Sequence, residues 1–167
     1  MIVVIMGVTG AGKTTVGELL AQQLRWEFAD ADNFHSAANV EKIKSGIALT
    51  DADRAPWLES LRQAIEHWIA KRQDVILACS ALKKIYRDQL FVAPEVKFVY
   101  LKGSYDLIAQ RLRLRHGHFA SEKILASQFA DLEEPDDALT VEIDQSAAEI
   151  VAGIRRGLGL DHDRAGP

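Results

Sequence analysis

This chain has a single cysteine, Cys79, in 167 residues. No intrachain disulfide can form, so the fold must be held by a core rather than by cross-links, and a reducing compartment suits it. An excess of basic charge is also missing: 20 Lys and Arg stand against 24 Asp and Glu, a formal net charge of −4. That balance lacks the broad basic footprint of a nucleic-acid binder, so no nucleic-acid partner is expected and an anionic ligand has to be held by local positive charge. No apolar run approaches the roughly 20 residues that span a bilayer, which excludes a helical membrane anchor within this sequence. The apolar start, Met1-Ile2-Val3-Val4-Ile5-Met6, has no basic stretch before it and runs straight into a glycine-rich loop, the pattern of a strand and not of a signal peptide. Internal repeats and low-complexity segments are absent. The expectation is one soluble cytoplasmic domain over residues 1–160 with a flexible tail at 161–167, whose only apolar residue is Ala165.

Short apolar runs alternate with longer amphipathic stretches, the signature of a parallel sheet covered by helices. Strands are expected at residues 2–6, 26–29, 75–79, 96–101 and 139–143, giving an α/β fold of three layers with a five-stranded parallel sheet. Between the first two, Val16, Leu19, Leu20 and Leu24 form a helical stripe. Ser36 is placed to cap a short helix ending near Lys44, with Gly46 at its exit. Thr50 and Asp53 match a capping box, and the helix they open carries Trp57, Leu61, Ile65, Trp68 and Ile69 on one side as core. Further helices are expected at 105–114, 122–132 and 146–158.

The segment Gly7-Val8-Thr9-Gly10-Ala11-Gly12-Lys13-Thr14 fits G-x-x-x-x-G-K-[ST] without a mismatch, after an expected strand and before an expected helix. Glycines let the backbone wrap a phosphate with its N–H groups turned inward, and the helix N-terminus offers its positive dipole end to the same anion. A nucleoside triphosphate is therefore the expected ligand, held by these residues and the following Thr15. Lys13 reaches the β- and γ-phosphates and the Thr14 hydroxyl ligates Mg²⁺ in this reading.

In such folds ligands sit beyond the carboxyl ends of the strands. Asp30-Ala31-Asp32 follows the second strand, and alternate residues of an extended segment share a face, so both carboxylates can point into one crevice. One of the two would hold a Mg²⁺-bound water and the other would accept the proton of an attacking hydroxyl; the competing reading is a solvated turn that caps the next helix. Arg54 and, after the third strand, Lys83 and Arg87 are candidates for an anionic acceptor, Lys83 and Arg87 sharing a helix face at a spacing of four. Their alternative is ordinary surface charge paired with Asp53 or Asp88, and Lys84 is read as surface. Arg111 and Arg115, one helical turn apart before His116-Gly117-His118, suit a mobile lid at about 112–135 that brings arginine to the transferring phosphoryl group, although basic residues at a helix end also oppose its dipole. Arg113 points elsewhere. His116, His118 and His162 find no third ligand at zinc spacing.

The segments Asp30-Ala31-Asp32-Asn33-Phe34-His35, Leu49-Thr50-Asp51-Ala52-Asp53-Arg54-Ala55-Pro56-Trp57-Leu58, Cys79-Ser80-Ala81-Leu82-Lys83-Lys84-Ile85-Tyr86-Arg87-Asp88 and Arg115-His116-Gly117-His118-Phe119 together resemble the bacterial gluconate kinases of the P-loop type. Gln128-Phe129, Leu132-Glu133-Glu134-Pro135 and Asp144-Gln145 are similar to that family too. The resemblance implies a nucleoside-kinase-like P-loop NTPase fold, Mg²⁺- and ATP-dependent phosphorylation of D-gluconate at its 6-hydroxyl, and a homodimer. It also implies that Asp32 lies near the acceptor hydroxyl, that His35, Arg54, Lys83, Arg87 and His118 face the substrate, that Arg111 and Arg115 act from the lid, and that Asp144 and Gln145 lie near adenine. The chain has Asp-Ala-Asp where the family usually has Asp-Gly-Asp, and Ser36 where proline is more usual. A shikimate- or nucleotide-type kinase, and an ATP-sensing module without an acceptor, are the alternatives weighed.

Overall fold

The computed structural model describes residues 1–116 and 119–161. Five strands, β1 (Ile2–Met6), β2 (Glu27–Asp30), β3 (Val75–Ala78), β4 (Val96–Lys102) and β5 (Leu139–Glu142), form one sheet in the order β2-β3-β1-β4-β5. Every pairing is parallel, with Ile2 opposite Val75 on one side and Val96 on the other. All five residues of β1 and all four of β3 are buried, as parallel strands covered on both faces require, whereas β2 and β5 at the edges are largely accessible.

Side chains alternate across a strand, and β1 shows the consequence directly. Val3 and Ile5 join one core with Val16, Leu20, Ile108, Leu112 and Val151, from α1 (Lys13–Leu24), α5 (Tyr105–His116) and α7 (Ala147–Gly157). Ile2, Val4 and Met6 join the other with Trp57, Leu61, Ile65, Tyr86 and Leu90, from α3 (Asp51–Ala70) and α4 (Lys84–Leu90). Three layers follow. The remaining helices, α2 (Ala37–Lys44) and α6 (Phe119–Asp131), lie around the carboxyl ends of the strands and contribute to the cleft described below.

The expected helix starts are realised. Ser36 Oγ accepts the Asn39 N–H at 3.2 Å to open α2, and Gly46 follows it at φ 72°. Thr50 Oγ1 accepts the Asp53 N–H at 3.1 Å while Asp53 Oδ2 accepts the Thr50 N–H at 3.0 Å, the complete capping box of α3. One expectation is corrected. Of the Asp30-Ala31-Asp32 run only Asp30 belongs to β2, and residues Ala31–Phe34 turn through a 3-10 helix whose N-cap Asp30 carboxylate accepts the Asp32 N–H at 2.9 Å. The Asp30-Ala31-Asp32 run is thus a capped turn, not an extended strand. His118 and most of the expected tail, 162–167, lie outside the described residues.

Leu61 is wholly buried between α3 and the sheet. Leu61→Ala is expected to lower the unfolding free energy by about 2–5 kcal/mol, read as a fall in the urea midpoint with the slope of the transition unchanged.

Candidate active site

The first helix begins without a side-chain cap. Gly12 stands at its N-cap with φ 96°, and no side chain satisfies the first N–H groups, in contrast to the capping boxes of α3 and α7. Unsatisfied donors at the positive end of a helix form an anion site. The loop leading into it is fixed from several directions: Gly7 N–H donates to Ser80 O at the end of β3 and Ala11 N–H to Val8 O. Gly10, at φ 77°, has no room for a side chain, since a Cβ there would lie 2.9 Å from Leu112 of α5. Lys13 Nζ donates to Val8 O at 2.9 Å, so the ammonium folds back along the loop. Burial pushes its pKa down, and the nearby carboxylates of Asp32 and Asp30 oppose the fall. Such an ammonium gains from any anion that arrives beside it.

Beside the loop lies a cleft of about 630 Å³, lined by Lys13, Thr14, Asp30, Asp32, His35, Arg54, Tyr86 and Arg115 among others. Asp30 and Asp32 thus meet in one crevice although the backbone between them is not extended. Asp32 is open to solvent through the cleft yet crowded by protein, and partial burial followed by the charge of Asp30 raises its pKa above the usual carboxylate value; His35 and Lys13 act the other way. A carboxylate less content to be ionised is a better proton acceptor. Oxygen ligands, the Thr14 hydroxyl and the Asp30 and Asp32 carboxylates, border the same space, which suits a hard divalent cation that keeps waters and phosphate oxygens as its other ligands. No cluster of three or more metal-binding side chains occurs among the described residues, and His118 and His162 lie outside them.

On the acceptor side Arg54 donates through Nη1 to Tyr86 Oη at 3.1 Å and lies 4.0 Å from Asp131 of α6. Tyr86 Oη donates to Asp51, which also accepts from Lys83 Nζ at 3.2 Å. Hydrogen bonds from Tyr86 and then Lys83 hold the Asp51 carboxyl below its ordinary pKa. Arg54 therefore reaches the cleft as expected. Lys83 stays at its margin, outside the lining residues.

Arg87 departs from expectation. It is 7% exposed, and its guanidinium is occupied by backbone: Nη1 donates to Ala81 O at 2.9 Å and Leu82 O at 3.0 Å, and Nη2 to Glu133 O at 2.9 Å. The spacing argument failed because α4 starts at Lys84. Lys83 is its extended N-cap residue, φ −95° and ψ 143°, so it does not share a helix face with Arg87. Arg87 braces the turn after β3 against the chain after α6.

A second cavity, about 360 Å³, lies on the other side of the loop between Gly10, Thr15, Arg111, Arg115, Gln145 and Ile150. Arg111 Nη2 donates to Ile143 O at 2.6 Å and Gln145 Nε2 to Glu142 O at 2.7 Å, which fix this rim. Arg115 borders both cavities, while Asp144 is exposed and lines neither. Sequence reasoning missed Tyr86, Asp51 and Asp131 as members of the cleft network, and treated Trp57 as core alone. Trp57 Nε1–H donates to Ala31 O at 2.8 Å and its ring stacks on His35. Gln128, noticed only through its motif, accepts the Thr9 N–H of the loop at 2.6 Å.

A phosphate cradle that opens into the same space as a carboxylate with a raised pKa is the arrangement of a P-loop kinase acting on small molecules. A family model described as Shikimate kinase matches residues 9–152. The thermoresistant gluconokinase of Escherichia coli (strain K12) is 44% identical over 90% of this chain and 89% of its own, and a probable gluconokinase of Mus musculus is 41% identical over 94% and 97%. The crystal structure of a gluconokinase from Sinorhizobium meliloti 1021 superposes with a TM-score of 0.85 at 39% identity, covering 95% of this chain and 91% of that one. The chain belongs to the shikimate kinase-like P-loop family and, within it, to the gluconokinases.

Arg87→Ala is expected to act on stability, with a loss of about 3 kcal/mol from stranding buried carbonyls, while the KM for the acceptor in the folded fraction stays close to that of the parent. A raised KM with unchanged stability would return Arg87 to the substrate side.

Proposed function

We propose that this chain transfers the γ-phosphoryl group of ATP to the 6-hydroxyl of D-gluconate, giving 6-phospho-D-gluconate and ADP. The observation that carries the reading is the single cleft shared by the uncapped start of α1, Lys13 and Asp32, with Arg54 on its far side. The α1 N-terminus, the loop amides and Lys13 bind and orient the triphosphate. Asp32 accepts the proton as the hydroxyl oxygen bonds to phosphorus and the bond to the ADP oxygen breaks. Arg54 offers a charge-assisted contact to the carboxylate of the acid, and Lys83 adds positive potential at the margin. Thr14, with Asp30 through a water, would hold Mg²⁺, which when bound neutralises charge on the phosphate oxygens. The cavity beside Arg111 and Gln145 suits the adenosine portion, with Asp144 next to Gln145 in the chain. The end of α5 and all of α6, about residues 112–135, act as the lid in this reading, because Arg115, Gln128 and Asp131 already line the cleft from that side. The homodimer and the cytoplasmic location rest on the family resemblance, and no described helix is long and apolar enough to cross a membrane.

ADP release with Mg²⁺-ATP, compared across D-gluconate, shikimate, nucleoside monophosphates and no acceptor, tests the assignment. Stimulation by gluconate alone is expected, and equal turnover without an acceptor would refute it. Asp32→Asn is expected to lower gluconate-dependent kcat by about 10²–10⁴, and Lys13→Ala to abolish turnover with any acceptor.

The base must be ionised to work, so the rate falls as pH drops through the Asp32 pKa. Because that pKa is raised, the acid limb of kcat/KM is expected above the ordinary carboxylate range. An acid limb at or below the ordinary value would remove Asp32 from the role of base.

A further inference from the structure

Among the described residues, Asn39 and Arg87 are the buried polar or charged side chains. Backbone carbonyls account for Arg87, whereas Asn39 leads to the cleft. Its Nδ2 donates to the backbone carbonyl of Asp53 at 2.8 Å, and the same nitrogen lies 3.4 Å from Nδ1 of His35. A carbonyl oxygen can only accept, so the Asp53 contact decides which end of the Asn39 amide is nitrogen. His35 Nδ1 therefore faces an N–H and acts there as an acceptor. In a neutral imidazole one nitrogen accepts and the other carries the proton, which leaves the proton on Nε2.

The surroundings restrain the ring further. His35 stacks on Trp57 with centroids 4.4 Å apart and planes 11° from parallel, and Trp57 is itself pinned to Ala31 O. With Nδ1 turned to Asn39 and one face on Trp57, Nε2 is the nitrogen left for a ligand in the cleft that His35 lines. The charged groups acting on the ring are Asp32 and Arg54: burial pushes its pKa down, Asp32 opposes, and Arg54 adds to the fall.

We propose that Asn39 is a positioning residue that sets the tautomer of His35, so that His35 meets the acceptor substrate as a hydrogen-bond donor through Nε2. The inference rests on reading the cleft as the acceptor site, and it divides the work there: Asp32 accepts a proton and His35 donates a hydrogen bond to an oxygen of the polyhydroxy acid. It also gives α2 a purpose. Two contacts to Asp53 hold that helix against α3, Asn39 to its carbonyl and Lys42 Nζ to its Oδ1 at 2.8 Å, and only the first also reaches His35.

Two-bond ¹H–¹⁵N spectra of the full chain, labelled with ¹⁵N and free of ligands at neutral pH, report the tautomer directly. The His35 signals are identified by their loss in His35→Gln. Protonation on Nε2 is expected in the parent and in Lys42→Ala, which loosens the same helix pair without touching the ring. In Asn39→Asp the carboxylate draws a proton to Nδ1 and the signature changes; Asn39→Ala gives a mixture. Gluconate kinetics supply the second readout. His35→Gln places an amide nitrogen near the position of Nε2 and is expected to keep kcat/KM within about tenfold, the scale of one neutral hydrogen bond. His35→Asn reaches only the position of Nδ1 and is expected to lose more. A parent His35 protonated on Nδ1, an unchanged tautomer in Asn39→Asp, or equal activity of His35→Asn and His35→Gln would each overturn the proposal. The spectra need no substrate, so they decide the tautomer even if gluconate is not the acceptor.

Discussion

The N-terminus of α1 carries backbone N–H groups that no side chain satisfies, and the arrangement of the molecule follows from keeping them that way. A helix start left bare would normally be remedied by Ser, Thr or Asp at the cap, as at α2, α3 and α7. Here glycine occupies the position, and the donors are held open by a loop wedged between β1, the end of β3 and Leu112 of α5. Placing β1 in the middle of a parallel sheet makes this possible. Its neighbours β3 and β4 end at the same edge, so the residues that follow them are delivered to the rim of one opening.

The cleft has to reconcile an acidic chain with an anionic ligand. It does so by arranging charge rather than accumulating it. Lys13 lies near the Asp30 and Asp32 carboxylates, and Arg54 lies between Asp51 and Asp131. Each cation thus has carboxylates beside it. Asp53 shows the structural version of the same device: the hydrogen bond from Lys42, then those from Thr50, take its carboxyl down to about 2, and the charge so held fastens α2 to α3.

Features encoded within a few residues of one another were legible in the sequence. The phosphate loop, the Ser36 cap, the Thr50 and Asp53 box and all five strands depend on local spacing, and the structure has each within a residue or two of its expected place. What depended on a one-residue boundary was less secure. Lys83 and Arg87 share a face only if α4 begins a residue earlier than it does, and the difference sends one side chain to Asp51 and the other into backbone carbonyls. Contacts between distant segments were not legible at all. Nothing in the spacing of Asp51 and Tyr86 joins them, and Trp57 carries an apolar stripe and a polar handle at once, so periodicity reports only the first.

The Gln128 contact bears on how the protein meets its nucleotide. A neutral amide oxygen from α6 occupies an N–H of the phosphate loop, so that donor is engaged by the protein itself. A phosphate oxygen is charged and the stronger acceptor, and to take that donor it has to displace the side chain. For a phosphate that binds there, its arrival and the release of α6 from Thr9 would be one exchange. The free energy of the lost contact is subtracted from nucleotide affinity, and the helix is freed to settle anew only when the loop is filled.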